Sequence, residues 1–114
     1  MDSILTSIKK LLGIDEDYTH FDVDIIMHIN TTMIALSQFG LPNADEFIVT
    51  DKTATWSQLL GDRTDLEAVK TYILLRVRLM FDPPSTSYVI ECMDRTILSL
   101  AWRITSQIGD GDDA

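Results

Sequence analysis

Cysteine is nearly absent from this sequence, and its scarcity excludes two kinds of site. The chain has 114 residues and a single cysteine, Cys92. One cysteine allows neither an intrachain disulfide nor a CxxC metal site. It fits a reducing compartment, and we expect Cys92 to be a small buried or half-buried thiol.

A basic leader and long hydrophobic runs are also missing. The chain begins with Met1-Asp2-Ser3, with no basic segment ahead of an apolar core. No apolar run approaches the roughly 20 residues that span a bilayer. We therefore expect no signal peptide, no membrane association and a soluble protein made in the cytoplasm.

Basic residues are few. Lys and Arg number 9 against 18 Asp and Glu, which gives a formal net charge of −9. The acidic residues are scattered along the chain, except in the closing segment GDGDDA. Because no basic stripe with interleaved aromatic residues is present, binding to a nucleic-acid backbone is disfavoured.

Catalytic motifs are absent as well. The sequence has no GxGxxG, no P-loop and no HExxH. His20, Asp24 and His28 have the spacing i, i+4 and i+8, which places them on one side of a helix. Zinc usually requires a third or fourth close ligand, and we expect His28 to pair with Asp24 in the core instead. We predict a protein that is not an enzyme and that binds no metal or cofactor.

Helical periodicity is the strongest positive signal. Apolar residues recur at helical spacing in residues 3–12, 19–39, 63–81 and 85–107. Thr19 and Asp62 are the expected caps of the second and third helices. Residues 44–61 form an insert with one or two helical turns, and Trp56 is expected in the core. We predict an all-α fold: one small antiparallel bundle of four main helices with a short irregular insert. This domain covers residues 1–108, and residues 109–114 form an acidic, flexible tail.

The two middle helices are apolar on both sides. In the second helix, Val23, Ile26, Met27 and Ile34 lie opposite the main apolar stripe. A helix of this kind is buried between partners. Because a domain of this size has few helices to cover so many sides, we expect another chain to supply part of the cover.

The segment Asp82-Pro83-Pro84 separates the third and last helices. Proline lacks the amide proton and clashes with the preceding turn, and a residue before proline is driven out of the helical region. We predict a stiff corner that fixes the angle between these two helices.

The last helix carries a second face made of Tyr88, Glu91, Arg95, Leu98 and Trp102. Their spacing is i, i+3, i+7, i+10 and i+14, away from the main apolar stripe. Tyr, Arg and Trp are the residues most enriched at binding hot spots. Two interpretations remain open: the face binds another chain, or it packs on the first helix of its own chain.

The chain carries a family resemblance in five segments: SILTSIKKLLGI, THFDVDIIMHINTTMIALSQFG, DKTATWSQLL, LEAVKTYILLRVRLMFDPP and LAWRI. Together they resemble the small head–tail connector (adaptor) proteins of tailed bacteriophages. The most specific segment is KTYILLRVRLMFDPP, residues 70–84. The resemblance covers nearly the whole chain except the acidic tail.

This resemblance implies a structural virion protein at the head–tail junction. In that family, all-helical subunits form a homo-oligomeric ring below the portal protein. The ring extends the DNA channel and docks the next connector, tail or head-completion component. DNA is then expected to pass through without specific binding, and neither a cofactor nor catalysis is implied.

The resemblance also gives the corner and the last helix a role in contacts with a neighbouring subunit or the portal. Arg76 and Arg78 would bridge to acidic residues of an adjacent subunit, or instead pair with Glu67, Asp82 or Asp94 of their own chain. The candidate interface residues are Arg76, Arg78, Asp82, Pro83, Pro84, Tyr88, Arg95 and Trp102.

An alternative from another class is a small acidic helical regulatory or inhibitor protein that binds a protein partner. Mimicry of nucleic acid would require acidic residues clustered on one face at phosphate-like spacing. Here they are spread over three of the four predicted helices and the segments between them, which favours the connector.

Overall fold

The computed structural model of the protein describes residues 3–61 and 67–112, and this part of the chain contains five helices. They are α1 (Ile4–Leu11), α2 (Asp22–Gln38), α3 (Trp56–Leu60), α4 (Glu67–Phe81) and α5 (Ser87–Asp112). Apart from one isolated bridge between Ser3 and Thr55, no strand pairing occurs within these ranges. The predicted all-α fold is confirmed, and α3 is the short helix expected inside the insert.

α4 is the central helix, and it packs against both α2 and α5. Phe39 at the end of α2 meets Tyr72 in the first half of α4, with ring centroids 5.6 Å apart. Phe21 at the start of α2 meets Phe81 at the end of α4, at 5.2 Å. α2 and α4 are therefore antiparallel, and α5 returns along α4 after the corner. The folded chain is flat, with extents of 43 × 35 × 21 Å.

The core is built from the predicted apolar stripes. Ile8 of α1, Ile25 and Ile29 of α2, Ile73 of α4 and Ile104 of α5 are completely buried. Each such side chain stabilises the fold by about 1.5–3 kcal/mol relative to an exposed one. α4 is covered on both sides, as its sequence predicts.

Glycines end α1 and α2. Gly13 has φ +82° and Gly40 has φ +91°, in the left-handed region that suits glycine. The Gly13 N–H donates to the Lys10 carbonyl, and the Ile14 N–H donates to the Lys9 carbonyl. This pair of bonds is a Schellman motif, which satisfies the last carbonyls of the helix.

The start of α2 differs from the prediction. Phe21 is the N-cap and makes no side-chain capping bond, so the predicted cap by Thr19 is wrong. The Thr19 carbonyl instead accepts a hydrogen bond from the Asp22 N–H at 3.2 Å. The other predicted cap, Asp62, lies outside the described residues.

The insert is tied to α1 through α3. Thr55 Oγ1 accepts from the Gln58 N–H at 3.1 Å, and Gln58 Oε1 accepts from the Thr55 N–H at 3.0 Å, which forms a capping box. Trp56 is buried, and its Nε1 donates to Ser7 Oγ at 3.2 Å. The predicted core position of Trp56 is confirmed.

A buried lysine joins α1 to the start of α2. Lys9 Nζ lies 2.9 Å from Asp22 Oδ1 and donates to the Glu16 carbonyl oxygen at 3.0 Å. The Lys9 side chain is almost wholly buried, whereas that of Asp22 is partly exposed. Because an ammonium group without a counter-charge is costly to bury, Asp22 holds this junction together.

The predicted break at the two prolines is confirmed. α4 ends at Phe81, and the chain continues through Pro83 and Pro84 without helical structure. Thr86 Oγ1 then accepts a long hydrogen bond, 3.4 Å, from the Val89 N–H and caps α5.

α5 is longer than predicted at its C-terminal end. It runs to Asp112, past the expected end at residue 107, and is about 39 Å long at 1.5 Å per residue. The division into a domain at residues 1–108 and a tail at 109–114 stays a prediction.

Candidate subunit interface

The α5 outer face, made of Tyr88, Glu91, Arg95, Leu98 and Trp102, is open to solvent. Tyr88 is 74 % exposed, Leu98 70 % and Trp102 75 %. At about 100° per residue these five side chains lie within one sector of α5, opposite its core side. The interpretation that this face packs on α1 of the same chain is therefore wrong. Large apolar side chains grouped on an exposed face are typical of interaction sites.

The candidate arginines have no acidic partner in the part of the chain that the structure describes. Arg78 and Arg95 are exposed, and the guanidinium of Arg76 lies 5.9 Å from the centre of the Tyr72 ring. Burial raises the pKa of Tyr72, and the charge of Arg76 opposes that rise. Glu67, one expected partner, bonds Lys70 at 3.3 Å instead. The expected ion pairs of Arg76 and Arg78 within the chain do not form among the described residues.

The corner residues lie beside the start of α2. Asp82 and Pro83 are exposed, and Pro84 is half-buried. Asp82 also lines an open depression of about 650 Å³, which His28 of α2 and Phe81 of α4 border as well. The corner thus presents a polar and proline-bearing edge where the end of α4 lies beside the first half of α2.

The histidines belong to an aromatic cluster. The His20 ring lies 4.9 Å from that of Phe21, and the His28 ring lies 6.5 Å from that of Phe81. The exposed Asp24 carboxylate makes no hydrogen bond to His28, so the expected pairing is wrong. Within residues 3–61 and 67–112, no group of three or more His, Cys, Asp or Glu side chains is arranged to hold a metal ion.

Cys92 is exposed on α5, and the expected burial of this thiol is wrong. The pattern of the last helix identified its apolar stripe correctly. Cys92 lies outside that stripe, and no other helix covers that side of α5 closely enough to bury it.

A second exposed apolar surface, the α2 outer face, consists of Val23, Met27 and Ile34. Their exposed fractions are 74 %, 57 % and 61 %. With spacing i, i+4 and i+11 they lie within a sector of about 40°, opposite the buried side of α2. The sequence predicts that α2 is apolar on two sides. In the single chain, the α2 outer face is the side that stays uncovered.

Asn30 fixes the insert beside the α2 outer face. Its Nδ2 donates to the Val49 carbonyl, and its Oδ1 accepts from the Val49 N–H, both at 2.9 Å. These two bonds satisfy the backbone N–H and C=O of Val49, which would otherwise need another partner. They also hold the exposed Ile48 close to this face. The sequence pattern does not reveal the role of Asn30, because its partner is 19 residues away.

We expect Asn30→Ala to lower the free energy of unfolding by about 1–3 kcal/mol, because both polar groups of the Val49 backbone lose their partner. Chemical denaturation followed by circular dichroism measures the change. Asn30→Asp is the matched variant, since it keeps the acceptor for the Val49 N–H but places an oxygen against the Val49 carbonyl. Unfolding midpoints within error of the unchanged chain for both variants would contradict this role of Asn30.

These features define a small all-helical protein whose distinctive surfaces are suited to binding other proteins. The described helices include none that is long and apolar enough to cross a bilayer. The family model of phage connector proteins matches residues 4–110, and the chain therefore belongs to the phage connector protein family. That family is structural, and membership implies a place in the virion. No curated protein and no solved structure matches the chain significantly.

Proposed function

We propose that this chain is a head–tail connector subunit that forms a homo-oligomeric ring below the portal. The ring extends the DNA channel and docks the next tail or head-completion component. The observation that carries the proposal is the open α5 outer face on a member of the phage connector family. Trp102 and Tyr88 are large, nearly rigid anchors of the kind that dominate binding energies.

The arginines and the corner have separate roles in this proposal. Arg95 in the α5 outer face, together with Arg78, supplies charges that an acidic neighbour satisfies. Arg76 is held over Tyr72 and is thereby oriented toward the same neighbour. Asp82, Pro83 and Pro84 set the direction in which α5 projects from α4, and so determine where the neighbour docks.

The net charge of the chain suits the wall of a DNA channel. With −9 formal charges, the surface repels phosphates on average, and DNA slides past without being held. The subunit is synthesised in the host cytoplasm and acts in the virion at the head–tail junction.

We expect the purified chain and its cognate portal to form a complex larger than either component. Light scattering measures the mass, and negative-stain images show an added ring on the portal. An unrelated acidic helical protein of similar size is the control for non-specific adsorption. Absence of association at every salt concentration between low and physiological ionic strength would overturn the proposed function.

A further inference from the structure

The subunit has two different exposed apolar faces, and they point away from each other. α4 lies between α2 and α5. On α2 the outer face is opposite the buried Ile25 and Ile29, and on α5 it is opposite the buried Ile104. The α2 outer face and the α5 outer face therefore lie on opposite sides of a flat subunit.

This placement restricts the symmetry of self-association. A two-fold contact pairs one surface with itself, so it would cover one of the two faces and leave the other exposed in every copy. A head-to-tail contact joins two different surfaces, covers both in every copy, and generates a closed ring when the rotation permits. Two unlike apolar faces on opposite sides are what a head-to-tail contact requires.

The two faces also match in size and apolar character. The α5 outer face extends about 21 Å from Tyr88 to Trp102, and the α2 outer face extends about 16 Å from Val23 to Ile34 at 1.5 Å per residue. Ile48 of the insert is exposed too, and it precedes Val49, which Asn30 of α2 holds by two hydrogen bonds. The unbranched side chain of Met27 adapts to irregular neighbouring shapes, so it suits contact with aromatic rings.

A groove with an excess of carboxylates lies beside the α2 outer face. This groove of about 500 Å³ adjoins the α2 outer face at Val23, and Glu16, Asp17 and Asp51 are among the residues that line it. The Asp51 carboxylate accepts hydrogen bonds from the Thr53 hydroxyl and, with a smaller effect, from the Thr53 N–H. These bonds hold the pKa of Asp51 below its ordinary value. Lys9 and Lys52 also line this groove, and the charge of Lys9 is paired with Asp22. Against these two lysines stand four carboxylates, those of Glu16, Asp17, Asp22 and Asp51, so the groove is acidic on balance.

The α5 outer face carries one exposed cation, Arg95, and one exposed acid, Glu91. Arg95 is exposed at the middle of the α5 outer face and has no acidic partner among the described residues. An acidic groove beside an apolar stripe therefore fits an arginine between aromatic side chains.

We propose that the α5 outer face of one copy covers the α2 outer face of the next copy, head to tail around the ring. This contact rests on the proposed function, because it assumes that copies of this chain form a ring. It assigns the α2 outer face and its acidic groove as the second half of the subunit interface, with Arg95 of the adjoining copy facing the groove.

The test mixes two variants that each lack one face. Trp102→Glu spoils the α5 outer face, and Ile34→Glu spoils the α2 outer face; both positions are exposed, so the monomer fold is retained. We expect that neither variant forms a ring alone under the conditions in which the unchanged chain does. Mixed together, they form a 1:1 complex of twice the 12.9 kDa chain mass, because one intact pair of faces remains. Sedimentation velocity measures the masses.

The controls distinguish an error in the proposed head-to-tail contact from an error in the proposed ring. Thr96→Glu is exposed on α5 outside its outer face, and it forms rings normally. Leu98→Glu mixed with Met27→Glu repeats the test with independent positions. A dimer of Ile34→Glu alone, or a mixture that stays monomeric while the unchanged chain forms rings, overturns the head-to-tail contact only. Failure of the unchanged chain to form a ring, alone or on the portal, overturns the proposed function as well.

Discussion

Replacing Trp102 and Arg95 together with alanine is expected to prevent assembly at concentrations where the unchanged chain assembles. Truncating a hot-spot Trp or Arg costs about 2–4 kcal/mol, which is a factor of about 30 to 1000 in the dissociation constant. Both side chains are exposed in the single chain, so the free energy of unfolding changes by about 0.5 kcal/mol or less. Sedimentation velocity with and without portal measures assembly, and circular dichroism measures helix content.

The matched control is Arg103→Ala with Thr96→Ala. These residues are exposed on the same helix but lie outside the α5 outer face, and the pair likewise removes one arginine. We expect the control to assemble normally. Two results would count against the role of Trp102 and Arg95: loss of helix content in their double variant, or assembly equal to that of the control.

The largest effect on stability is expected from Asp22→Ala. Among the described residues, the substitution leaves the buried Lys9 ammonium with only the Glu16 carbonyl as a polar partner. Breaking a buried ion pair by removing one member costs about 3–5 kcal/mol, and the partial exposure of Asp22 favours the lower end. For a chain of this size the melting temperature falls by about 10 °C or more. Thermal and chemical denaturation followed by circular dichroism measure both quantities.

Two further variants identify the cause of that loss. Asp24→Ala removes an exposed carboxylate from the same first turn of α2. It therefore measures how much stability is lost when the helix N-terminus loses one negative charge while the ion pair of Lys9 stays intact. Adding Lys9→Met to Asp22→Ala removes the unpaired ammonium and should recover most of the lost stability. Equal destabilisation by Asp22→Ala and Asp24→Ala, or no recovery in the double variant, would show that the ion pair is not responsible.

The parts of the fold that depend on local sequence were predicted well. The four main helices and the break at Pro83-Pro84 follow from spacing of 3.6 residues and from the missing amide proton of proline. Trp56 was placed in the core because burying a large aromatic side chain strongly favours folding. These features are determined by residues close together in the chain.

The features that were missed depend on partners far apart in sequence or on the orientation of whole helices. Lys9 meets Asp22, and Asn30 meets Val49, only after α1, α2 and the insert have packed. The sequence showed which sides of α2 and α5 are apolar, but periodicity within a helix does not reveal which side its neighbours cover. The α5 outer face was therefore identified by residue type, and its exposure became known from the structure.

The double proline has a consequence for the thermodynamics of closing the proposed ring. Two fixed φ angles limit the conformations of residues 82–84 equally in free and assembled subunits. α5 therefore has the same direction in the free monomer as after docking, and docking restricts it little further. Association is normally opposed by the entropy lost when mobile segments become ordered. Because α5 is already oriented, it loses less entropy on binding, and subunits of the proposed ring assemble at a lower concentration.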